Sequence, residues 1–243
     1  MIIQSLINPK VKFVVSLHDK SARKKEKKFI AQGVKTCKTL LEAKLSLYAM
    51  FMTQNAYLQY QNDFMVVDVQ LVSDDVIKKM STLSTPADMI AVFDIPDVVL
   101  DVQASSVVLY NIQDPGNLGT LIRTAVAMNV QNVILVSGAD AYQPKVVQAT
   151  MGTLGYIKIV QMTWVEFVQK FEKRNLCALV VNGGQEPVNI KNSVIVLGNE
   201  GQGLPEEIIA ACNQKLTIAM PGRAESLNVA IAGAIALYIQ SKQ

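Results

Sequence analysis

The stretch SVVLYNIQDPGNLGTLIRTAVAMNVQNVILVSG, residues 106–138, carries the reading of the fold. An apolar run, SVVLYNI, breaks at a polar Gln-Asp-Pro-Gly-Asn segment, continues as an amphipathic stretch over 117–129, and ends in a second apolar run, NVILVSG. The first and last are short and continuously apolar, as in strands buried on both faces, and the middle has helical spacing. On that helix Leu118, Leu121, Ile122, Ala125 and Met128 share one face, while Thr120, Arg123 and Ala127 lie opposite, so Arg123 points away from the sheet. The turn before it places Asn111, Asp114 and Asn117 at the carboxyl end of a strand, where open α/β sheets bind ligands. Taken singly, these residues read better as a turn, a helix cap and an ordinary exposed arginine. An amide, a carboxylate and a guanidinium grouped at that place carry more weight than any one of them.

The same alternation continues outward. YIKIVQM reads as a strand and TWVEFVQKFEKR as a helix opened by a Thr163/Glu166 capping box. LCALVVNGG and SVIVLGN follow as strands, LPEEIIAAC as a helix, KLTIAM as a strand, and the chain closes on a helix from Ser226. Continuous apolar strands between helices imply a parallel sheet covered on both faces. Upstream, NPKVKFVVSL, KFIAQG, VKTCKTLLEA, SLYAMFMT, DDVIKKM and MIAVFDI alternate in the manner of a small α/β domain. Its end is expected near Ile95. The Pro- and Asp-bearing segment 96–105 is the expected linker, which gives a domain over 1–95 and another over 106–243. A chain of 243 residues is long enough for both.

With 50% hydrophobic and 18% charged residues, the composition is that of a folded protein and excludes a disordered one. Charge is unevenly spread. Residues 1–45 hold eleven Lys or Arg against three Asp or Glu, so the first segment carries +8 of a chain whose net charge is +3. The run KSARKKEKK, 20–28, is either a solvated helix face or a nucleic-acid contact. No apolar run reaches the ~18 residues of a membrane span, and the N-terminus lacks the pattern of a secretory leader, so a cytoplasmic protein is expected. Cys37, Cys177 and Cys212 are far apart and form no C-x-x-C pair, which points to buried, reduced thiols. His18 is expected at the surface, and no metal site is expected.

Two further stretches carry chemistry. In VLGNEGQGLP, 196–205, an apolar strand runs into Gly198, Gly201 and Gly203 around Asn199 and Glu200. Neither a Walker loop nor the dinucleotide fingerprint matches this spacing. Backbone groups beside one carboxylate suit a neutral or cationic nucleoside-like ligand better than a triphosphate. In IAMPGRAESLNVAIAGAIALY, 218–238, Ser226 and Asn228 bracket the first turn of a helix that is apolar nearly all round. Such a helix is either buried in one core or covered by a second subunit.

The three blocks N-x-x-D-P-x-N-x-G-x-x-x-R-T-A, L-G-N-E-G-x-G-L and M-x-G-x-x-E-S-L-N-V, in this order, resemble the motifs of the SpoU/TrmH family of RNA ribose 2′-O-methyltransferases, in the SPOUT superfamily. More loosely, INPKVK, RKKEKKFIAQGVKT and LSTPADMIAVF are similar to the RNA-binding extension of its ribosomal-RNA branch. The resemblance implies an α/β protein: a C-terminal parallel-sheet domain with a trefoil knot, and a small N-terminal ribosomal-protein-like RNA-binding domain. It implies that Asn117, Arg123, Ser226 and Asn228 surround the reacting ribose. Gly198, Glu200, Gly201, Ile218, Met220 and Leu227 would line a pocket for S-adenosylmethionine. Arg23, Lys24, Lys25, Lys27, Lys28 and Lys145 would meet RNA phosphate. A homodimer is implied as well.

The expected substrate is large-subunit (23S) ribosomal RNA. Transfer RNA is the alternative within the family, and a non-catalytic RNA-binding or ribosome-assembly factor the alternative outside it. A dinucleotide-dependent oxidoreductase is weakened by the glycine spacing. Because a guanidinium stays protonated, Arg123 is expected to grip a phosphate and stabilise developing negative charge rather than act as a base. The chain departs from the family pattern at Gln148 and Thr150, where Arg and Ser are frequent, at Gln32, where Glu is frequent, and at Ala219 and Ala230, where Pro and Ser are usual.

Overall fold

The structure is a computed structural model that describes residues 2–243. The chain divides into two compact units, one made of the residues up to Asp97 together with Asp140–Gly155, the other of Val98–Ala139 with Tyr156–Gln243.

The first unit runs α1 (Pro9–Ser16), α2 (Lys20–Glu26), β1 (Lys28–Gln32), α3 (Val34–Glu42), β2 (Leu47–Met52), α4 (Gln54–Tyr60), β3 (Val69–Leu71), α5 (Asp74–Met80) and β4 (Met89–Asp94). Its helices start where the sequence offers a cap: Asn8, Thr53 and Ser73 each accept a backbone N–H of the first turn. The sheet order is β1-β4-β2-β3, with β4 antiparallel to both neighbours and β2 parallel to β3. Val11, Val14 and Leu17 of the α1 region pack with Ile30, Phe51 and Val92 of the sheet and Val76, Ile77 and Met80 of α5.

The second unit begins with β5 (Ser106–Tyr110), α6 (Pro115–Ala127) and β6 (Asn132–Val136). The chain then contributes α7 (Pro144–Thr150) to the first unit, where it lies on β1. It continues through β7 (Lys158–Gln161), α8 (Trp164–Lys170), β8 (Leu176–Leu179), β9 (Val194–Leu197), α9 (Glu206–Ala210), β10 (Gln214–Leu216) and α10 (Val229–Ser241). All six strands are parallel, in the order β10-β8-β9-β5-β6-β7. One face packs Val108, Ile134 and Val196 against Phe167, Phe171 and Ile208 of the α8 and α9 region. On the other, α10 crosses α6 and β9. Gly233 permits that crossing: a Cβ there would come within 2.4 Å of Leu121 and 2.7 Å of Leu197.

The Thr163/Glu166 capping box forms as expected. Three boundaries move. α6 starts at Pro115 because Asp114, not Asn117, caps it, its Oδ1 accepting from Asn117 N at 2.8 Å. β10 stops at Leu216, where its partner β8 ends, so Thr217–Leu227 is irregular rather than strand. α10 begins at Val229 rather than at Ser226, since Asn228 is the residue that accepts from Ala230 N and Ile231 N.

Other corrections are chemical. Arg23 is not a surface cation. Its side chain is 4% exposed, donates to the carbonyls of Leu17 and His18, and forms a two-pronged pair with Asp140 Oδ2 at 2.8 and 3.0 Å. Those donors are spent inside the first unit, so a phosphate has no access to them. His18 is half-buried, with Nε2 3.0 Å from the Met80 carbonyl oxygen, rather than free at the surface. Cys37 and Cys177 are buried and Cys212 half-buried, all as free thiols. Burial pushes Cys37 up to about 12 and Cys212 up to about 11, which keeps them protonated and inert. In the 96–105 segment, Arg174 donates to the carbonyls of Val102 and Ala104, and Asn132 donates to that of Asp101, so its second half is fastened to the second unit. Among the described residues no helix is long and apolar enough to cross a membrane.

Candidate active site

Strands β5 and β9 are neighbours whose following connections depart to opposite sides of the sheet, and a crevice opens at their carboxyl ends. A cavity of ≈ 270 Å³ lies there, in the second unit. Its walls come from the end of β8, the loop after β9, the irregular 217–228 segment and the start of α10. The loop is a tight return in which Asn199 N donates to the Gly203 carbonyl at 3.0 Å and Gly203 N to that of Asn199 at 2.9 Å. Gly198 is required by this approach, since a Cβ would sit 2.4 Å from the Gly203 carbonyl carbon, and Gly203 itself takes φ +68°.

Glu200 ties this loop to the mouth of α6. Its Oε1 accepts from Asp114 N at 3.2 Å and Asn117 Nδ2 at 3.1 Å, and its Oε2 from Gln113 N and Asn199 Nδ2, both at 3.3 Å. Partial burial pushes the Glu200 carboxyl up, but these donors together outweigh it and hold its pKa below the ordinary carboxylate value. The chain of amides continues: Asn228 Nδ2 donates to Asn117 Oδ1 at 3.0 Å while Asn228 Oδ1 caps α10. Asn117 therefore has its donor end fixed by a carboxylate and its acceptor end by a second amide, which sets its orientation without a charge of its own. Asn111, held at φ +54°, accepts from Gln113 Nε2 at 2.6 Å, and its carbonyl accepts from Asn199 at 2.9 Å.

All six residues expected at a cofactor pocket, Gly198, Glu200, Gly201, Ile218, Met220 and Leu227, line the cavity, and so does Ser226. Asn117 and Asn228 meet directly, and Asn117 is tied to the cavity wall by its bond to Glu200. Arg123 stands apart: it is exposed, six residues beyond Asn117, hence about 9 Å along α6 and ~120° around it, and it does not line the cavity. Leu179, Val180 and Val181 also line the cavity and were not singled out from sequence. The signal existed, because a strand adjacent to β9 must end beside the same loop, but strand order is not written in periodicity. In the first unit Lys24, Lys25, Lys27 and Lys145 are exposed, while Lys28 pairs with Asp94 at 2.9 Å.

A parallel α/β sheet with a glycine-lined cavity at the carboxyl ends of its strands and an oriented amide pair beside it is the arrangement expected of the class that the sequence motifs resemble. Residues 104–238 match the SpoU rRNA Methylase family, and the chain belongs to it. Residues 8–91 match the MRM3-like substrate binding domain. The 23S rRNA (guanosine(2553)-2′-O)-methyltransferase RlmP of Bacillus subtilis is 28% identical, over 97% of each chain. The AdoMet-bound rRNA methyltransferase of Sinorhizobium meliloti superposes with a TM-score of 0.87 at 28% identity, over 100% of this chain and 97% of that one. A TrmH-family RNA methyltransferase structure from Porphyromonas gingivalis gives 0.83 at 30% identity, over 97% and 98%.

Proposed function

We propose that the protein transfers a methyl group from S-adenosylmethionine to a ribose 2′-hydroxyl of large-subunit (23S) ribosomal RNA. The observation that carries this is the Glu200–Asn117–Asn228 chain at the rim of a cavity built from backbone and apolar walls. Those walls fit the cofactor: Leu179, Ile218, Met220 and Leu227 suit an adenine face, and the Gly198–Gly203 backbone offers donors and acceptors without a fixed cation that would repel a sulfonium. Bound there, the cofactor supplies an electrophilic methyl group.

The chain's own residues have to position the sugar oxygen and manage its proton. Asn117 retains one N–H and one lone pair beyond its two fixed bonds, enough to hold the 2′-oxygen and a neighbouring ribose atom in line. Ser226, on the cavity wall, offers a hydroxyl that can accept a hydrogen bond from the 2′-OH and pass its proton on to solvent as the methyl is transferred. Arg123, always charged, grips a phosphate of the target nucleotide and offsets the charge on the forming alkoxide. Its distance from Asn117 along α6 supports delivery to the site of a second subunit. The homodimer implied by the motifs fits α10, where Ile231 and Tyr238 are half exposed on an otherwise apolar helix. The trefoil knot belongs to the same proposal, with the 217–228 segment as the part that leaves edge strand β10 and returns to β9.

The test is cofactor-dependent methylation of 23S transcripts with ribose-methyl mapping. Wild type should give one 2′-O-methylated position, and Asn117→Ala should slow single-turnover transfer by about 100-fold with cofactor affinity nearly unchanged. Transfer to a base atom, or equal loss of cofactor binding, would defeat the assignment.

A further inference from the structure

Resting on the RNA-modification reading above, we propose that Tyr48 is a stacking platform for an unpaired nucleobase of the RNA substrate. β2 and β4 pair Leu47 with Phe93 and Ala49 with Val92, so Tyr48 is the extra residue of a β-bulge. A bulge re-aims one side chain out of the sheet's register, and Tyr48 is 57% exposed. Its ring is nevertheless held in place. Phe13 lies 5.5 Å away at a 52° tilt, and the Lys28 ammonium sits 4.6 Å from the ring centroid.

Lys28 is itself fixed, bonded to Asp94 at 2.9 Å, whose other oxygen accepts from Ser46 Oγ at 2.6 Å. The Asp94 charge is thus turned inward and spent on two partners. Exposed lysines adjoin each member of the group in sequence: Lys12 beside Phe13, Lys27 beside Lys28, and Lys44 four residues before Tyr48. The Lys27–Asp97 pair is solvent-exposed on both sides, and an exposed pair of this kind holds its lysine only weakly. An immobilised, largely exposed aromatic ring with one cation fixed against it is the equipment that single-stranded RNA recognition uses, with stacking for the base and cations for the backbone. A protein partner would ask instead for a continuous apolar surface, and here the ring is bordered by Lys28, Asp94 and Ser46.

The probe is a single-stranded RNA of about twelve nucleotides with a central 2-aminopurine, titrated into the full-length protein. Wild type should quench the fluorophore. Tyr48→Phe and Tyr48→Trp should bind within about twofold of wild type, and Tyr48→Leu should weaken binding roughly 5- to 100-fold. Thermal unfolding of Tyr48→Leu should match wild type. Wild-type quenching by Tyr48→Leu, or an equal loss in Tyr48→Trp, would overturn the platform. Failure of the methylation reading is separable, because 23S transcripts would then stay unmethylated while quenching still depended on an aromatic ring at this position.

Discussion

Helices α6 and α7 each follow a strand of the parallel sheet, each starts with proline in its first turn, and each turns an apolar face inward, yet they end in different units. α6 runs 13 residues from an Asp114 cap and covers its own sheet with Leu118, Leu121, Ile122 and Ala125. α7 runs seven residues from Gln143, which makes no side-chain cap, and buries Val146 and Val147 in the first unit, beside β1. Each is also pinned by a carboxylate from outside the helix: Glu200 grips the mouth of α6, and Asp140, just before α7, takes the buried guanidinium of Arg23. Amphipathic spacing specifies that a helix covers something. It does not specify which sheet.

The largest expected effect tests the α7 side. Val147 is 1% exposed, and Val147→Asp would bury an unpaired carboxylate at a cost of about 4 kcal/mol or more. Thermal unfolding should move down sharply, and a separate early transition for the residues up to Asp97 is expected. A neutral result would mean that α7 does not complete that unit's core.

Next comes Arg23→Ala, which strands Asp140 and two carbonyls and should destabilise by about 3 kcal/mol. Lys25→Ala, two residues along the same helix, should leave stability unchanged and reduce the salt dependence of RNA binding instead. If the two behaved alike, the distinction between a buried anchor and a surface cation within one basic run would collapse.

That run shows how far sequence reasoning reaches. Composition gives KSARKKEKK as one cationic patch, and it takes Asp140, 117 residues on, to remove Arg23 from it. Strands read well because burial on both faces leaves unbroken apolar runs, as in Val107–Leu109 and Val194–Leu197. The cavity residues read well because a loop that folds back on itself, as Asn199 and Gly203 do, leaves glycines as its trace. Helix starts read less well, since Asp114 and Asn117, or Ser226 and Asn228, are equally good caps on composition, and the winner is set by where the side chain can reach. Leu179–Val181 are not marked by periodicity, because their role comes from β8 lying next to β9.

On the α6 side the effects are smaller and fall on function. Asn228→Ala removes the α10 cap, worth about 1 kcal/mol, and frees the Asn117 amide to rotate. The expected signature is a fall in single-turnover rate larger than the loss of stability, with cofactor affinity kept. Asn228→Asp restores the cap acceptor but presents no N–H to Asn117 Oδ1. It should recover stability and not rate, and recovery of both would show that the amide contact is dispensable.

The smallest effect concerns Glu200. Its carboxyl has a depressed pKa in the folded chain, so its bonds to Gln113, Asp114 and Asn117 are present above the unfolded-state value of about 4.3 and are lost as pH falls through the folded value. The group is partly open to solvent, and the stability at stake is correspondingly modest. Glu200→Gln keeps an oxygen toward the α6 mouth but brings an NH₂ up to groups that are themselves donors. Between about pH 3 and 6 the unfolding temperature of Glu200→Gln should vary less with pH than that of wild type, converging with it at the acid end. Parallel profiles would place the acid sensitivity elsewhere and leave the clasp between α6 and the 198–203 loop without an electrostatic basis.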